Sequence, residues 1–123
     1  TEGLKSRKVV EYGIDALKAV WHRGAIDADG KTGDGAGIHI EIPKDFFEEK
    51  IEVTGHKHDN SELCVGMIFL PRNDYSAQEH CRTIVESELT KRNFSIYGWR
   101  QVPVDPSVLG EKAEQTRPEI TQV

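Results

Sequence analysis

Leu63-Cys64-Val65-Gly66-Met67-Ile68-Phe69-Leu70-Pro71 is the stretch that decides the fold class. Its apolar run, Leu63 to Leu70, is far shorter than the ~20 residues a membrane helix needs. It reads as a strand buried on both faces and stopped by Pro71, which cannot donate to a ladder. Directly after it, Ser76-Ala77-Gln78-Glu79 has the spacing of a capping box, in which Ser and Glu each satisfy an orphan backbone donor. Ala77, Cys81, Ile84, Val85 and Leu89 then mark one helical face, which ends near Asn93. A strand followed by an amphipathic helix predicts mixed α and β structure.

Upstream, Val10, Ile14, Leu17 and Trp21 recur at helical steps and predict a helix over 8–23. His22 and Arg23 fall in its last turn, where cations suit the helix dipole, and Gly24 stands as its C-terminal cap. Gly13 in the middle signals close approach of another element. After a Gly- and Asp-rich loop over 25–35, Ile38, Ile40 and Ile42 alternate with polar residues and predict a half-buried strand. Pro43 opens a short helical turn holding Phe46 and Phe47, and 53–61 reads as an exposed loop. Downstream, 94–104 returns to extended chain broken by Gly98 and Pro103. The polar stretch 111–123 holds too few apolar residues to bury itself and is expected to fray.

Composition excludes several functions. The 123 residues carry 16 Lys and Arg against 21 Asp and Glu, a net charge of −5. That balance lacks the basic excess of a nucleic-acid binder or a polybasic membrane-surface protein. No basic, apolar-centred signal peptide opens the chain, and Cys64 and Cys81 have no CxxC partner. Two buried thiols in a reducing cytoplasm are the expectation.

The densest polar cluster is His22-Arg23-Gly24, then Asp27, Asp29 and Gly33-Asp34-Gly35-Ala36-Gly37. A calcium loop starting at Asp27 would want Gly at Thr32 and a bidentate Glu at Ile38, and has neither. A phosphate cradle follows a strand and opens a helix, whereas these glycines lead toward a strand, with no Gly-Lys-Ser/Thr. The plain reading is a tight turn whose glycines supply positive φ angles. His56-Lys57-His58-Asp59 lacks further ligands at zinc spacing and reads as a solvated loop. Glu48, Glu49 and Glu52 form a charged helix face, and nothing activates Cys64 as a nucleophile.

Longer strings carry a resemblance. Ala19-Val20-Trp21-His22-Arg23-Gly24-Ala25, Thr32-Gly33-Asp34-Gly35-Ala36-Gly37-Ile38, Val65-Gly66-Met67-Ile68-Phe69-Leu70-Pro71 and Tyr97-Gly98-Trp99-Arg100-Gln101-Val102-Pro103 stand in one order along nearly the whole chain. Together with Ser107-Val108-Leu109-Gly110 they resemble the class II glutamine amidotransferase domain of glutamate synthase large subunits. Other class II enzymes are similar but carry a compact Arg-Gly-x-Asp-Ser-Ala-Gly motif. Here Arg23-Gly24 and Asp34-Gly35-Ala36-Gly37 are separated by an inserted loop.

The resemblance implies an α+β fold, part of the αββα sandwich of N-terminal-nucleophile hydrolases. It implies a glutaminase, in which an N-terminal cysteine thiolate attacks the side-chain amide of L-glutamine and water then releases glutamate. The ammonia would serve reductive amination of 2-oxoglutarate, in the cytoplasm, in a parent enzyme with FMN, an iron–sulfur cluster, and NADPH or ferredoxin as donor. None of these cofactors, and no metal, is expected in this segment. The implied partners are the other domains of the large subunit and its small subunit, with no nucleic acid and no membrane. By the same resemblance Arg23, Gly24, Asp34 and Gly35 lie beside the nucleophile. The family's domain begins Cys-Gly, while this chain begins with Thr1, so 1–123 is expected to be part of one domain and inactive alone. The nucleophile strand and the downstream Asn-Gly oxyanion pair are expected outside it. The alternative is a stand-alone, non-catalytic binding or regulatory module with the same fold.

Overall fold

The computed structural model describes residues 3–33, 35–59 and 61–123. In chain order these form α1 (Arg7–Ala19), a 3-10 turn (Trp21–Arg23), α2 (Lys44–Val53), β1 (Met67–Leu70) and α3 (Tyr75–Lys91). β2 (Arg100–Gln101), a second 3-10 turn (Pro106–Val108), α4 (Glu111–Thr116) and β3 (Glu119–Gln122) follow. The chain divides into two units, Thr1–Ile40 with Pro106–Thr116, and Glu41–Asp105 with Arg117–Val123.

The second unit holds a three-stranded antiparallel sheet in the order β1-β3-β2. β3 is the middle strand, pairing Met67 with Gln122 and Leu70 with Glu119 on one side, and Arg100 with Gln122 on the other. Gly66 and Val123 exchange both backbone hydrogen bonds at 2.8 and 3.0 Å, and Val102 N–H donates to the Ile120 carbonyl at 2.9 Å. The expectation of a fraying tail over 111–123 is therefore wrong. Apolar content is a poor guide to a strand with a ladder on each edge, because paired backbone groups let even polar Thr121 be buried.

Strand 63–70 is shorter than expected and covered on one face only. β1 begins at Met67, and Leu70 is 2% exposed while Phe69 is 63% exposed. The two faces alternate as they do in an antiparallel sheet with one wet side. Leu63, Leu70 and Ile51 of α2 form the buried apolar core of this unit. Fully burying such a side chain contributes roughly 1.5–3 kcal/mol. Cys64 is exposed and Cys81 half-buried, so the expectation of two buried thiols is also corrected. Cys64 lies before β1, where no ladder holds its side chain inward.

Helix α3 starts two residues earlier than the capping box implied. Asp74, not Ser76, is its N-cap, and Asp74 Oδ1 accepts from the Ala77 amide at 2.9 Å. Asp is as good a cap as Ser, so either fits the sequence, and Ser76 falls inside the first turn. Buried Gln78 donates to the Pro71 carbonyl at 2.7 Å, which ties the helix to the end of β1. Asn93 adopts φ 62° where the helix ends, and Phe94 N–H returns to the Leu89 carbonyl at 3.1 Å.

In the first unit α1 stops at Ala19 and the chain tightens into the 3-10 turn, so the expected helix over 8–23 breaks in two. Lys18 is the basic residue of the last α1 turn; His22 and Arg23 belong to the 3-10 turn. Gly24 follows it at φ −83°, extended rather than left-handed, so it does not close α1. Val10 and Ile14 are half-buried and no residue of α1 is fully buried. Gly13 does mark a close approach: a Cβ there would lie 3.3 Å from Ile38 Cδ1. Ile38, Ile40 and Ile42, expected as a strand, form none, and all three are exposed. Alternation provides a face, but a strand needs a neighbour to pair with.

Candidate functional site

The loop between α1 and Ile38 folds back on itself as a small hairpin. Ile26 and Gly33 form an antiparallel bridge, Asp27 N–H donates to the Thr32 carbonyl at 2.7 Å, and Gly30 N–H donates to the Asp27 carbonyl at 2.9 Å. Gly30, at φ 70°, supplies the left-handed residue of the tip. The expectation that the glycines of 33–37 provide positive φ is thus misplaced by a few residues. Gly33 is needed for a different reason, since a Cβ there would lie 3.0 Å from the Ala25 carbonyl across the neck.

Asp29 is the hub of this hairpin. Its Oδ1 accepts from the Lys31 and Thr32 amides at 2.9 and 2.7 Å, and its Oδ2 accepts from the Thr32 hydroxyl at 2.5 Å. The Thr32 hydroxyl first, then the two amides, hold its carboxyl well below the usual aspartate range. Oδ2 also receives the Lys112 amide at the start of α4, at a long 3.4 Å, and Lys112 Nζ reaches Asp27 Oδ1 at 2.7 Å. Gly110, just before α4, is buried against this cluster. Asp27 and Asp29 were legible as an unusual pair; Gly110 and Lys112 were not, because nothing local links residues more than 80 positions apart, as Lys112 and Asp29 are.

Of the residues the resemblance pointed to, Arg23 ends the exposed 3-10 turn, with Gly24 extended behind it. Gly35 is exposed and has open space around a would-be Cβ. Asp34 and Thr1 lie outside the described residues. The hairpin neck brings Gly33 back beside Ala25, the residue that follows Arg23-Gly24. An arginine on such a turn presents a planar fork suited to a carboxylate.

In the sheet-bearing unit a cavity of about 930 Å³ is lined by Phe47, Ile51, Leu63, Ile68, Leu89 and Tyr97 among others. The loop over 53–61 is less solvated than expected at His58, whose side chain is 8% exposed with Nδ1 3.4 Å from Glu48 Oε1. The Tyr97 ring stands edge-on to it at 5.9 Å, and this aromatic contact draws the imidazole inward. Among the described residues, no three His, Cys, Asp or Glu side chains are grouped to hold a metal ion. Among the described residues, no helix is long and apolar enough to cross a membrane.

The family model described as "Glutamine amidotransferases class-II" matches residues 1–123. The chain is 57% identical over 122 residues to the glutamate synthase [NADPH] large chain of Azospirillum brasilense, covering 99% of this chain and 8% of that one. It is 37% identical over 123 residues to the chloroplastic ferredoxin-dependent glutamate synthase 2 of Arabidopsis thaliana, again covering 99% of this chain and 8% of the relative. Against ferredoxin-dependent glutamate synthase 2 of Synechocystis the identity is 36% over 122 residues, 98% of this chain and 8% of that protein. The chain spans about 8% of the length of these curated relatives. With the family match running from the first residue to the last, the chain belongs to the class II glutamine amidotransferases.

Proposed function

We propose that residues 1–123 are part of the glutaminase domain of a glutamate synthase, built as part of an αββα sandwich. The domain hydrolyses L-glutamine to glutamate, and its ammonia serves reductive amination of 2-oxoglutarate. The observation that carries this reading is the 57% identity to a glutamate synthase large chain along 99% of the chain. Arg23, with Gly24, Asp34 and Gly35, shapes the pocket beside the nucleophile, and Arg23 holds the α-carboxylate of glutamine. FMN, the iron–sulfur cluster and the NADPH or ferredoxin donor belong to other domains of the cytoplasmic parent enzyme, with which this segment assembles. The polypeptide 1–123 expressed by itself is inactive on glutamine, because a covalent step needs its nucleophile and binding residues do not replace it.

The test is glutamine hydrolysis by the full-length gene product that contains these residues. Release of equal glutamate and ammonia is expected. Arg23→Ala should raise KM for glutamine about 10- to 100-fold, the size of a lost charge-assisted hydrogen bond. A full-length product that binds glutamine without hydrolysing it would favour the binding module instead. Unchanged KM in Arg23→Ala would remove Arg23 from the site.

A further inference from the structure

The compact motif of other class II enzymes is split here by the insert, yet the insert folds into a hairpin whose neck closes between Ile26 and Gly33. A hairpin this small does not hold its own direction, since an isolated pair of short strands is at best marginal in water. Its tip is held from outside, by the residues that lead into α4. Gly110 is buried at an ordinary, non-left-handed φ, so any residue could adopt its backbone. What excludes a side chain is space: a Cβ would collide with the Thr32 hydroxyl and the Asp29 carboxylate and lie 2.5 Å from the Thr32 amide nitrogen. The Lys112 amide and Nζ then reach Asp29 and Asp27 respectively. The backbone of 110–112 is therefore seated on the hairpin tip with no room for a methyl group.

We propose that Asp29, Gly110 and Lys112 are positioning residues for glutamine binding: the α4 entry clamps the tip of hairpin 26–33, and the clamped hairpin fixes the direction in which Arg23 is presented. The inference rests on the proposed function. Each of the three acts through the hairpin rather than on the substrate. Asp29 has two separable tasks, because Oδ1 builds the turn within the hairpin while Oδ2 also meets the α4 entry.

The experiment uses the full-length protein. Gly110→Ala and Asp29→Ala should raise KM for glutamine at least tenfold with kcat changed less than twofold. Asp29→Asn keeps the Oδ1 acceptor and should fall between wild type and Asp29→Ala, and Lys112→Ala should move KM less than threefold. The double variant Asp29→Ala/Gly110→Ala should be no worse than the poorer single, since both open one clamp. A purely structural role would lower the active fraction, and so the apparent kcat, at constant KM; that outcome, or no change in either constant, overturns the proposal. Should Gly110→Ala fail to fold, the two Asp29 variants decide it by the same split. If the unmodified protein hydrolyses no glutamine, the proposed function fails and the clamp is read by hydrogen exchange. The Lys112 amide, which donates to Oδ2, should then exchange at least tenfold faster in Asp29→Ala than in wild type, and equal rates would overturn the clamp.

Discussion

Two short segments with opposite sequences exchanged roles. Ile38-His39-Ile40-Glu41-Ile42 alternates apolar and polar residues perfectly and forms no strand. Glu119-Ile120-Thr121-Gln122 has one apolar residue in four and is the central strand of the sheet. The difference is not propensity, since Ile and Thr both favour strands. β3 finds a ladder on each side, and its backbone donors and acceptors are used whatever its side chains are. The isoleucine segment offers a good face but, among the described residues, pairs with no strand. Pairing partners therefore outrank pattern in this chain.

The sharpest way to break this comparison is a proline scan. Thr121→Pro removes a ladder donor from the middle strand and should cost on the order of 3 kcal/mol, enough to unfold the sheet unit in a urea titration. Ile40→Pro should change stability by less than about 0.5 kcal/mol. Equal losses at the two positions would restore the alternation rule. Truncation gives the next contrast. Leu70→Ala empties a site that is 2% exposed and should cost about 2–5 kcal/mol, while Ile40→Ala, 51% exposed, should cost less than about 1 kcal/mol. Both are read from denaturant midpoints at constant slope.

Smaller effects sharpen the local rules. Asp74→Ala deletes the acceptor for the Ala77 amide and should lower stability by about 1 kcal/mol, whereas Ser76→Ala should change it by only a few tenths. The reverse order would return the cap to Ser76. The smallest effect concerns pH. The Asp29 carboxyl is held below its ordinary value by the Thr32 hydroxyl and the Lys31 and Thr32 amides. A depressed folded value means the stabilisation is present above the unfolded value of roughly 3.9 and fades as pH falls through the folded one. NMR titration should find Asp29 still ionised at the pH, roughly 3.9, where an ordinary aspartate is half protonated.

Much of the helical structure was legible because helices are local. Ala77, Cys81, Val85 and Leu89 of α3 and Val10 and Ile14 of α1 are half-buried as expected, whereas Ile84, Leu17 and Trp21 of the same expected faces are exposed. The apolar run before Pro71 likewise marks the position of β1. What stayed hidden depends on residues distant in sequence: the middle strand, the seating of Gly110 against Thr32, and the burial of His58 beneath Tyr97. For the candidate site, the Arg23 and Asp34 strings were recognisable as strings. The hairpin that joins them was not, because its closure rests on backbone hydrogen bonds and on an aspartate whose spacing mimics a metal loop without matching one.

The sheet order β1-β3-β2 also sets a schedule. A ribosome makes both outer strands before the one that joins them, at about 5–20 residues per second. Ile68 meets Thr121 across 53 residues, while helices α2 and α3 need only their own neighbours to form. For several seconds the nascent chain therefore carries local helices and a Met-Ile-Phe-Leu strand whose β3 partner has not yet been made. The keystone of this sheet is thus the last of its three strands to be made.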